Sequence, residues 1–75
     1  MTITSAQCRA ARALLGWTQK TLAERSGTGT VAINQFENGT SQPRRATVDV
    51  IKRAFEAAGI EFIGENSARS GVRFR

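Results

Sequence analysis

Glycines at positions 16, 27, 39 and 59 divide this 75-residue chain into short pieces, and each closes a stretch whose apolar residues recur at helical spacing. A chain punctuated in this way builds short helices around a single small core. Its length sets the same limit, because a core of this size folds alone only marginally and needs economical packing or a partner subunit. No apolar run approaches the roughly 20 residues that cross a bilayer, and Met1 to Ala10 holds no apolar signal-peptide core.

Thr4, with Gln7 three residues later, has the pattern of a capping box, and Cys8, Ala11 and Leu15 follow at helical spacing. A first helix is expected over about residues 5–15, stopped by Gly16. Thr18 is the next N-cap candidate, with Leu22 and Ala23 facing inward and Gly27 closing a second helix. Residues 29–37 form a third, stopped by Asn38 and Gly39, and "TSQP" is a loop because its proline discourages helix in the preceding residue. Val48, Ile51, Ala54, Phe55 and Ala58 mark a fourth helix over about 46–58.

Past Gly59 the period changes. "IEFI" and "GVRFR", separated by "GENSARS", alternate as strands do. A two-stranded ribbon alone is marginal in water, so Ile60, Phe62, Val72 and Phe74 must lie on the helices, or an edge must pair with another subunit. The expected fold is mainly α: a compact four-helix domain over residues 1–59, with a β-hairpin or pair of strands over 60–75.

Eleven Lys and Arg against six Asp and Glu give a formal charge of +5 and a pI near 11.2, a bias that attracts polyanions. The positive residues do not line one face of a long amphipathic helix, which argues for nucleic acid over a membrane surface. A single cysteine permits no internal disulfide, and the absence of histidine removes the usual zinc ligand sets, so no metal or cofactor is expected. Cys8 reads as a small buried hydrophobe. Without histidine or a placed carboxylate pair the chain is not expected to be an enzyme.

The third helix has two unlike faces. At about 100° per residue, Val31, Asn34 and Gln35 fall within about 140° of Thr30, while Ala32, Phe36 and Ile33 occupy about 200° to 300°. One face belongs in a core. The other offers a hydroxyl, a methyl pair and two amides, groups that read base edges: amides bind adenine, and a valine methyl meets the thymine methyl. Two helices joined by a tight glycine turn, the second short and polar outward, make a helix-turn-helix.

The stretches "GWTQKTLAERSG" and "TVAINQFENG" resemble the helix-turn-helix of the lambda-repressor-like, or Xre, family, over residues 8 to about 58. The resemblance implies that Thr30, Val31 and Gln35 are the principal base readers on double-stranded DNA, with Asn34 beside them touching base or phosphate. It implies phosphate contacts from Gln19, flanked by Thr18 and Lys20, from Asn38 and Thr40, and from Arg44 and Arg45. It pairs Arg12 with Glu37 as a partly buried ion pair. Trp17 stands where the family usually has leucine and is read as core; Gly29 stands where the family often has a Ser or Thr cap.

One recognition helix reads too few base pairs to select a genomic site, so a homodimer on a palindromic operator is expected. The two strands would supply the two-fold contact, the alternative being an intramolecular hairpin that caps the core. The expected function is a small cytoplasmic, nucleoid-associated transcriptional regulator acting as a repressor. The alternative is an antitoxin-type module that neutralises a toxin partner and binds DNA through its helices.

Overall fold

The computed structural model describes residues 2–40, 43–64 and 70–75; Ser41 and Gln42 of the expected "TSQP" loop, and residues 65–69 of "GENSARS", lie outside the described part. Four helices precede a hairpin: α1 Ser5–Leu15, α2 Gln19–Ser26, α3 Thr30–Asn38, α4 Arg45–Ala57, β1 Ile60–Ile63 and β2 Gly71–Phe74.

Local chemistry sets most of these boundaries. The Thr4 hydroxyl accepts from the Gln7 amide at 3.1 Å, and the Gln7 side-chain oxygen accepts from the Thr4 amide at 2.9 Å, which closes the capping box of α1. Thr18 caps α2 through the Thr21 amide. Gly29 caps α3 with no side-chain bond, so α3 begins one residue later than expected and keeps Asn38. The last helix starts one residue early, with Arg44 as its cap, and its end tightens at Ala58, whose amide bonds the Phe55 carbonyl at 3.0 Å.

The turn between α2 and α3 depends on Gly27. Its φ of 73° is left-handed, and the next amide, Thr28, reaches back to the Ala23 carbonyl at 3.1 Å. A Cβ added there would meet nothing within 4 Å, so Gly27→Ala costs only the left-handed penalty. We expect about 1–2 kcal/mol lost in urea unfolding; a variant as stable as the wild type would show that the turn does not hold this backbone angle.

The core contains Cys8 and Ala11 of α1, Leu22 of α2, Ile33 and Phe36 of α3, and Val48, Ile51 and Phe55 of α4, all buried. Ile3, ahead of the first helix, joins them. Leu15 and Trp17 pack against this cluster only partly buried. Trp17 stacks on Phe55 with ring centroids 5.6 Å apart, and Phe62 meets the other partner edge-on at 5.9 Å. The Arg25 guanidinium covers the Trp17 ring at 5.5 Å.

The strands pair with each other within the chain, antiparallel, in the register Ile60↔Phe74, Glu61↔Arg73, Phe62↔Val72 and Ile63↔Gly71. Ile60 is fully buried, and Phe62 and Val72 pack on the core. Phe74, expected on the helices with them, is instead 53% exposed, although Ile60 opposite it on the same rung is fully buried. The buried Gln7 docks the hairpin on α1: its Nε2 donates to the Ile63 and Gly71 carbonyls at 3.2 and 3.1 Å. One side chain thereby caps a helix and holds both strands.

Candidate nucleic-acid interface

The recognition segment is fastened from behind. Ile33 and Phe36 are buried, and the carbonyl end of α3 is held by α1: the Ser5 hydroxyl donates to the Phe36 carbonyl at 2.7 Å, and Arg9 donates to the Glu37 carbonyl. Thr40 ties the Gln35 carbonyl at 3.3 Å. Ser5, Cys8, Arg9 and Arg12 thus form a stripe at helical spacing along α1 that faces the end of α3. The family resemblance gives a partner to Arg12 alone of this stripe, although the helical spacing of all four is present in the sequence.

Glu37 is the centre of this join. It is 3% exposed, and its carboxylate accepts from Arg12 Nε at 2.7 Å, Arg12 Nη2 at 2.7 Å, Gln19 Nε2 at 3.1 Å and Cys8 Sγ at 3.2 Å. Those four bonds saturate its oxygens and come from two other elements. Burial acts to raise the carboxyl, but the bonds from Arg12, Gln19 and Cys8 outweigh it, so Glu37 sits below its ordinary value and stays ionised. The same bond holds Arg12 charged, its guanidinium raised chiefly by hydrogen bonding to Glu37. Arg12 Nη1 also reaches the Trp17 carbonyl at 3.1 Å. Burial first, and then the hydrogen bond to Glu37, push the Cys8 thiol well above its usual range, which leaves it unreactive as a nucleophile.

In front, Thr30, Val31, Asn34 and Gln35 are all exposed. Val31, at 68%, is the most exposed large hydrophobic side chain among the described residues.

The residues assigned to phosphates divide into two groups. Gln19, at the first position of α2, lies beside α3, where its Oε1 accepts from Asn34 Nδ2 at 3.4 Å; Asn38 Nδ2 in turn donates to Asn34 Oδ1 at 3.0 Å. Thr18, Lys20, Asn38 and Thr40 are exposed around them. The amides of Gln19 and Lys20, in the first turn of α2, have no carbonyl of their own helix to bond, as at any helix start. Arg44 and Arg45 are exposed at the start of α4, but no contact among the described residues joins them to this group.

Among the described residues no His, Cys, Asp and Glu side chains cluster as a metal site, and no helix is long and apolar enough to cross a membrane.

The arrangement is a short helix held rigidly on one side and offering polar and methyl groups on the other, beside the open end of a second helix. The family model described as helix-turn-helix matches residues 9–62, well over half of the chain. No curated protein matches the sequence. The chain belongs to the helix-turn-helix family of DNA-binding transcription regulators, in its lambda-repressor-like, or Xre, form.

Proposed function

We propose that this protein is a transcriptional repressor that binds a palindromic DNA operator as a homodimer and acts by occluding it. Thr30, Val31 and Gln35 read base edges in the major groove: the valine methyls meet a thymine methyl, and the Gln35 amide meets adenine. Gln19, the open amides of α2, Asn38 and Thr40 contact backbone phosphates and fix the register, with Thr18 and Lys20 beside them. Arg44 and Arg45 add charge at the flank. The observation that carries this reading is the outward display of α3, above all the exposure of Val31, on a helix whose inner face and carbonyl end are both immobilised.

Base readers and phosphate contacts respond differently to substitution. Val31→Ala and Gln35→Ala should each alter the preferred sequence when bound duplexes are selected from random DNA. Arg44→Ala should weaken binding to every sequence about equally and lower the salt slope by about one unit. If both α3 variants kept the wild-type preference, the readers would lie elsewhere.

Each well-read base pair is worth roughly 1–3 kcal/mol, so one α3 alone discriminates too weakly and two copies are required. We place the two-fold contact on the hairpin side, where Phe74 leaves apolar surface uncovered in the single chain. Sedimentation of Phe74→Glu should then give a monomer with unchanged helix content. A dimer of undiminished mass would move the contact to another surface.

A further inference from the structure

The front of the interface carries a directional chain of amides that base reading alone does not explain. An ionised carboxylate only accepts hydrogen bonds, so Gln19 must turn its Nε2 toward Glu37, at 3.1 Å. Its Oε1 then faces outward and accepts from Asn34 Nδ2, at 3.4 Å the longest link. That leaves Asn34 Oδ1 to accept from Asn38 Nδ2 at 3.0 Å. The buried charge of Glu37 therefore fixes which end of each amide points where, three side chains in succession.

An amide that recognises adenine uses its oxygen and its NH2 group together, on N6 and N7. Each end of Asn34 already holds one hydrogen bond at the protein surface, which fixes the direction of its amide before DNA arrives. Gln35, the next residue, is the opposite case: Thr40 bonds its backbone carbonyl, and its side-chain amide has no partner among the described residues. Val31 and Thr30 are likewise open toward solvent.

We propose that Asn34 is a positioning residue and not a base reader: it holds Gln19 of α2 and Asn38 of α3 at a fixed spacing, so that both amides meet the DNA backbone already oriented. This rests on the DNA-binding reading above. Sequence selectivity then belongs to Thr30, Val31 and Gln35 alone, and Asn34 sets how tightly the protein binds any duplex.

Asn34→Ala tests this, and the exposed position of Asn34 leaves the core untouched. In NMR spectra of the free protein, the side-chain NH2 signals of Gln19 and Asn38 should shift while that of Gln35 stays in place. Affinity should fall by about two- to tenfold, the worth of one or two such hydrogen bonds, for every duplex alike. The base preferences recovered by selection from random duplexes should match those of the wild type. Loss of preference at one base pair would make Asn34 a reader and overturn the proposal, as would unmoved Gln19 and Asn38 signals or unchanged affinity. A wild-type protein without any base preference would instead refute the regulator reading, while the NMR comparison would still decide whether the amide chain exists.

Discussion

Arg12→Ala is expected to destabilise the protein by about 3–5 kcal/mol, because it leaves a buried carboxylate with only a thiol and one amide to face it. A domain of this length has about 4–11 kcal/mol in total, so the variant should lose a large share of its stability. Removing the other partner should cost less, since the Arg12 side chain is 22% exposed and reaches water, whereas that of Glu37 is 2% exposed. The damage should also depend on pH. In the wild type the Glu37 carboxyl lies below its unfolded value near 4.3. Its contribution is therefore complete above that value and is lost as acid takes the pH down through the lower folded value. Without Arg12 the largest of the effects that hold the carboxyl down is gone, so Glu37 should titrate higher in the folded variant than in the wild type. The variant's deficit should shrink as the pH falls from 7 toward about 4. Urea midpoints at the two pH values measure this; an equal deficit at both would mean that the pair does not govern the stability of the α1–α3 join.

Phe55→Ala should cost about 3–5 kcal/mol and lower Tm by roughly 12 °C at the least. Phe55 is fully buried and lies between Trp17 and Phe62, so its ring connects the approach to α2, the fourth helix and the hairpin. Truncation opens a cavity where three elements meet, and none of them can collapse into it without moving the others. Trp17 is the single tryptophan and stacks directly on Phe55, so its fluorescence should change in the folded variant as well as on unfolding. A loss of less than about 1 kcal/mol would show that the aromatic stack is peripheral to the core.

What the sequence disclosed was what short spacing controls. The capping box at Thr4 and Gln7, the cap at Thr18, the stop at Gly27 and the two faces of the third helix depend on neighbours within a turn or two, and each is visible as a pattern of residues. Contacts between distant segments were not visible in that way. Gln7 announced itself as a cap, but its second role depends on carbonyls 56 and 64 residues away, and no local pattern encodes them. Glu37 was assigned to Arg12 through family resemblance, while Cys8 and Gln19 join it only because α1 and α2 converge on the same carboxylate. As a sequence Cys8 is a plain small hydrophobe; in the fold it is buried, but its thiol also donates to the central charge. Alternation puts Phe74 on the face it shares with Ile60, and does not disclose that Ile60 is buried there while Phe74 stays exposed. The two strands pair with each other within the chain.

The outer face of α3 was legible in the same local way, as four residues on one side of a helix, but sequence ranked Asn34 with its neighbours. Its different standing follows from Asn38, one turn further along the same helix, and from Gln19, which tertiary structure brings from α2 to lie between Asn34 and Glu37.

The central claim is that α3 is a probe of DNA sequence. Its most direct test is selection of the wild-type protein on random duplexes at moderate ionic strength, followed by affinity measurement on the enriched duplex and on a shuffled one of equal composition. The account predicts a two-fold symmetric consensus and binding to it at least about a thousandfold tighter than to the shuffled duplex. Equal affinity for the two, from protein whose helices and tryptophan environment are intact, would contradict it.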